Sequence, residues 1–183
     1  RLLPDDLLRA VSLCQGVLAS CLDSDWTTPA GDLRWDCRRT LDHMVDALAL
    51  YAAHLATRAT ERLPVPRNGD PSQSVAALLR LLGAMGSVLA EVARAAPPHT
   101  RAFHPAGMAD VSGFLAMGCT ETVIHTFDIT HGLGKPFRPP DDVVQPVVRR
   151  LFPWAPSEGD SWCLLLWATG RCALPDRDRL GPD

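Results

Sequence analysis

Lysine is almost missing from this sequence: Lys135 is the only one, and the other 17 of the 18 basic residues are arginine. Set against 21 acidic residues and mixed with them along the chain, these arginines form no run long enough to track a phosphate backbone, so nucleic acid is not an expected partner. Cys-x-x-Cys pairs are also lacking. The six cysteines, at 14, 21, 37, 119, 163 and 172, are too scattered for a thiolate zinc cluster or a disulfide scaffold. Cys14 and Cys21, among Leu13, Val17 and Leu18, read as reduced residues on the inner face of a helix, while Cys37 and Cys119 have the further alternative of a reactive thiol near a functional site.

Long apolar runs are lacking too. Glu, His, Asp or Arg interrupts each stretch before it could span a bilayer, and no apolar segment follows a basic start, so neither a membrane nor a targeting signal is expected and the location reads as cytoplasmic. No segment alternates apolar and polar residues between hairpin signals, which excludes a β-rich fold. The arginine and alanine bias resembles a high-GC bacterial source, such as an actinobacterium.

What is present is helical periodicity. The 183 residues, 46% apolar, suit one domain. A first helix is predicted from Pro4 to Leu22, a second from Asp36 to Arg62 ended by Pro64 and Pro66, and a third from Val75 to the Pro97-Pro98 pair. A fourth runs from Asp110 to Leu133, where Gly132 and Gly134 offer a stop. Short helices follow at Asp141–Leu151 and Ser157–Gly170, then a loosely ordered tail. The fold class is all-α, with a core over residues 4–135 and an extension over 136–183.

The fourth helix is apolar or small nearly all round, and its ionisable exceptions are Glu121, His125 and Asp128. At about 100° per residue these three fall within a stripe of roughly 60°. A carboxylate on a buried helix needs a cation or a proton. An internal salt bridge with His125 is one answer; a divalent metal held by Glu121 and His125, one turn apart, is the other. A third ligand has to come from another helix, and His43 is the best candidate on pattern, although a surface histidine on a solvated face fits that position as well.

Two motifs then carry a resemblance. Trp35-Asp36-Cys37-Arg38-Arg39-Thr40-Leu41-Asp42-His43-Met44-Val45 and Glu121-Thr122-Val123-Ile124-His125-Thr126-Phe127-Asp128-Ile129 are similar to the paired motifs of the DinB/YfiT-like superfamily. More narrowly, they resemble the N-terminal domain of mycothiol-dependent maleylpyruvate isomerases. The resemblance implies an up-down-down-up four-helix bundle and a metal, zinc in the better-known members, held by His43, Glu121 and His125. It also implies a low-molecular-weight thiol such as mycothiol as cofactor. Asp36 and Arg39 depart from that family's pattern, and the extension after residue 135 is shorter than the isomerases' second domain, which bears on the substrate more than on the metal.

Around that site, Asp128 is expected to accept the His125 ring N–H or to pair with an arginine. His54 is expected to face solvent, as are His99 and His131, while His104 is either solvated or at the mouth of the site. Arg34, Arg38 and Arg101 are the candidates to receive an anionic substrate or cofactor. The expected activity is thiol transfer, or isomerisation by reversible addition of a thiolate to a conjugated acid. A zinc hydrolase and a non-catalytic small-molecule- or metal-binding stress protein are the alternatives. Beyond the substrate and thiol, the expected assembly is a monomer or homodimer.

Overall fold

Four side chains mark where helices begin. Asp36, Ser74, Asp110 and Asp160 each accept the backbone N–H three residues on, from Arg39 (2.6 Å), Ala77 (3.2 Å), Gly113 (2.7 Å) and Cys163 (2.8 Å). Each so satisfies a donor that the first helical turn leaves without an internal partner. Asp36, one of the two departures from the family pattern, is thus the cap of the helix that carries His43.

The computed structural model describes residues 1–64, 66–67 and 69–181. Among them are six helices: α1 (Pro4–Ala19), α2 (Cys37–Thr57), α3 (Val75–Ala95), α4 (Val111–Gly132), α5 (Asp141–Leu151) and α6 (Ser161–Ala168). The single sheet among these residues pairs β1 (Arg101–Ala102) antiparallel with β2 (Ala109–Asp110), too short to alter a mostly helical class.

α3 and α4 each pack on both α1 and α2 and touch one another only lightly, while α5 lies on α4 and α6 on α5. One contiguous apolar cluster runs from Leu7 and Leu18 through Met44 and Leu48 to Phe114, Ile129 and Val147. By length and composition α3 would suffice to cross a membrane, despite Arg80, Glu91 and Arg94 within it. Here its Leu78, Leu82 and Leu89 are buried in the common cluster.

Three boundaries differ from expectation. α2 stops at Thr57 because Arg58 turns into the left-handed region (φ 51°), well before the prolines. α1 ends at Ala19, where the Ser20 hydroxyl bonds back to the Val17 carbonyl. α6 begins at Ser161, because the capping carboxylate is Asp160.

The segment after α6 is also more anchored than its composition suggests. Leu174 bridges Arg177, the Trp167 indole donates to the Asp178 carbonyl (2.9 Å), and Arg179 donates to the Gly170 carbonyl and to Asp32 (2.7 Å each). Polar groups that composition alone would leave to water have partners within the protein.

Candidate metal centre

His43 enters from the second turn of α2, and Glu121 and His125 lie one turn apart on the facing side of α4. The α4 stripe therefore meets α2, and Glu121 Oε2 sits 3.2 Å from His43 Nε2 and 3.2 Å from His125 Nε2. All three donor atoms lie within 4.8 Å of one another, the one such group of His, Cys, Asp or Glu among the described residues.

Electrostatics hold this cluster together. Burial would raise the Glu121 carboxyl, but hydrogen bonds and charge from His125 and His43 outweigh it and hold the group far below the usual carboxylate range. Burial would likewise lower His125, yet Asp128 and Glu121 raise it to about 9. The buried charges are thus mutually compensated, as burial demands.

Asp128 sits where its expected role requires. Its Oδ2 is 2.9 Å from His125 Nδ1, and its side chain is only 4% exposed. With Nδ1–H donated to that carboxylate, Nε2 is the nitrogen left to face the other two donors. Arg171, from beyond α6, closes on the far side of the same carboxylate, with Nη2 2.7 Å from Oδ2 and Nε 3.2 Å from Oδ1.

Donors about 2.1 Å from a tetrahedral ion stand roughly 3.4 Å apart, close to the two 3.2 Å separations. The donor types, two imidazole nitrogens and one carboxylate oxygen, are those of catalytic zinc sites, which keep a position open. The residues present fit such an ion.

On one side the site opens to a cavity of about 210 Å³ lined by His43, Glu121, Tyr51, His104, Arg62 and Arg67. The Tyr51 hydroxyl donates to Glu121 Oε1 (3.0 Å) and stands 3.5 Å from His104 Nε2. Burial, then the Glu121 charge, pushes the Tyr51 phenol far up, so it stays a donor. Trp35 packs its ring 5.0 Å from that of His43, with the Arg39 guanidinium 4.9 Å over the indole.

His104 is therefore at the mouth, the second of the two placements expected for it. His99 and His131 are exposed, as expected, His131 stacking on Phe127. His54 is not. It is wholly buried, its Nε2 accepts the Leu63 N–H (3.0 Å) and its ring meets Phe103 edge-on, because the chain folds back over α2 just past Arg58.

The reactive-thiol alternative is corrected as well. Cys37 and Cys119 are buried; burial and Asp36 push the Cys37 thiol up to about 11, and burial raises that of Cys119.

Of the three candidate anion-binding arginines, none lines the cavity. Arg34 is exposed in the connection before α2, Arg38 donates to the Asp70 and Gln73 carbonyls, and Arg101 donates to the Met108 carbonyl across the small hairpin. Arg62 and Arg67 are the arginines on its lining.

Sequence reasoning misses Tyr51 and Arg171. The sole tyrosine of the chain, on the apolar α2, is a usable signal, since a buried phenol needs a partner. Arg171 pairs across 43 positions and has no local signature.

No family model, curated protein or solved structure matches the chain.

Proposed function

We propose that the chain is a zinc enzyme that activates a low-molecular-weight thiol, mycothiol or a relative, for S-transfer to a small electrophile or for thiol-assisted isomerisation. The observation that carries the reading is the convergence of His43 Nε2, Glu121 Oε2 and His125 Nε2 beside a cavity. The two family-like motifs contain these three residues, and the pairing of α3 and α4 with both α1 and α2 is compatible with the up-down-down-up bundle that the motifs imply. That bundle assignment is part of the proposal.

His43, Glu121 and His125 would hold the zinc ion, which when bound would supply Lewis acidity to lower the pKa of a thiol. Asp128 orients His125, and Tyr51 donates to the Glu121 oxygen that faces away from the histidines. Ala47, Leu50 and Pro105 give the cavity an apolar wall, and Arg62 and Arg67 on its lining supply positive charge for an anionic substrate.

The test is metal analysis of wild type, His43→Ala and Glu121→Ala, followed by turnover with and without added mycothiol. About one zinc per wild-type chain, its loss in both variants, and thiol-dependent turnover are the expected results. Unchanged metal content in both variants overturns the site; turnover without thiol overturns the thiol chemistry.

A further inference from the structure

The segment that follows α6 bears on the metal centre from outside it. α6 ends in a Schellman cap: Gly170, in the left-handed region at φ 72°, donates its N–H to the Trp167 carbonyl (2.9 Å), and Arg171 donates its own to the Leu166 carbonyl (2.7 Å). A Cβ on Gly170 would stand 3.2 Å from the Leu180 carbonyl, so both backbone conformation and the close approach of the tail select glycine. The cap reverses the chain and turns the Arg171 side chain back onto α4.

There the guanidinium takes Asp128 with two nitrogens, while Nη1 donates to the Thr169 carbonyl (2.6 Å). The fork is held at both ends. Its planar geometry matches a carboxylate in a way that lysine cannot reproduce.

The Asp128 carboxylate, only 4% exposed, is held from two sides, by the His125 ring at Nδ1 (2.9 Å) and by the Arg171 guanidinium (2.7 Å).

We propose that Arg171 is a positioning residue of the metal centre: by gripping Asp128 it holds the His125 ring with Nε2 turned inward, so that the chain after α6 sets the metal affinity. This rests on the zinc reading of the triad. Groups that orient a liganding histidine typically contribute 10–100-fold to metal affinity. Arg179 is the internal control, since it anchors the same segment to Asp32 and to the Gly170 carbonyl without touching Asp128.

The experiment measures zinc affinity of the full chain by competition with a chromophoric chelator, and the visible spectrum of the cobalt-loaded protein. Wild type is expected to bind one zinc. If it binds none, the zinc reading falls and this inference with it; if it binds zinc, the variants test the role of Arg171 separately. Arg171→Ala is expected to bind zinc about 10-fold more weakly, at the low end of that range, with a shifted cobalt spectrum. Asp128→Asn should lose about 10–100-fold, and the double variant no more than Asp128→Asn alone. Arg179→Ala should match wild type in both readouts. Wild-type affinity in Arg171→Ala, an equal loss in Arg179→Ala, or losses that multiply in the double variant would each overturn the proposal. Should Arg171→Ala not fold, Arg171→Lys decides, because it keeps the charge and loses the fork: weaker zinc binding supports the role and wild-type binding overturns it.

Discussion

Tyr51 donates its hydroxyl to Glu121 Oε1 at 3.0 Å, across the gap between α2 and α4, while the other oxygen of that carboxylate faces the two histidines. Both oxygens of Glu121 are thereby engaged. Tyr51→Phe removes a donor to a charged, largely buried acceptor without changing the ring. The expected cost is about 1–2 kcal/mol in denaturant unfolding of the metal-free protein, together with weaker zinc binding. Unaltered stability would show that the contact contributes nothing.

Stability with and without metal should diverge as pH rises. His125 is raised from 6.5 to about 9, so its favourable pairing with Asp128 and Glu121 is fully present below pH 6.5 and is lost as pH climbs toward 9. Glu121 is depressed below 4.5, so its contribution persists above that value and fades only in acid. Zinc requires the neutral ring, and the proton competes with it below about pH 9. At a fixed buffered free zinc concentration, the rise in Tm caused by zinc should therefore grow from pH 6.5 to 9. A rise that shrinks over this range contradicts the assignment of His125 as ligand.

The end of α4 is held against the connection before α2 by the lack of a side chain. A Cβ on Gly132 would lie 2.1 Å from the Pro29 carbonyl oxygen, a backbone atom that cannot swing aside. Gly16, exposed in α1, has nothing within 4 Å of its hypothetical Cβ. Gly16→Ala is expected to stabilise the chain by about 0.5–1 kcal/mol through helix propensity, whereas Gly132→Ala destabilises it by more than about 1 kcal/mol and disturbs the site. Thermal unfolding of the two variants checks the opposite signs.

His54 is predicted to act structurally. Its neutral ring accepts the Leu63 N–H in a fully buried place, and burial lowers its pKa. His54→Leu removes that acceptor at a cost of about 1–3 kcal/mol, leaving a part-buried N–H unpaired. It should leave zinc stoichiometry unchanged, which metal analysis reads directly; loss of zinc would place His54 in the site.

The solvent-facing expectation for His54 fails for a definite reason. Periodicity assigns residues to helix faces, and His54 lies off the main apolar stripe of α2, but the stretch from Ala59 to Leu63 returns over that second face. Which loop covers a helix depends on where the helix stops. That is decided by Arg58 adopting a left-handed conformation, not by the prolines further on. Arg62 and Arg67, on the cavity lining, lie beyond that early stop.

From the sequence alone, the helical class, the starts of α2, α3 and α4, and the shared face of Glu121, His125 and Asp128 all follow, because each depends on interactions within a few residues. The pairing of His43 with Glu121, the hydroxyl of Tyr51 and the grip of Arg171 on Asp128 join positions 78, 70 and 43 residues apart. Contacts at such separations leave no periodic trace; they exist only once the packed core has brought α2, α4 and the segment after α6 together.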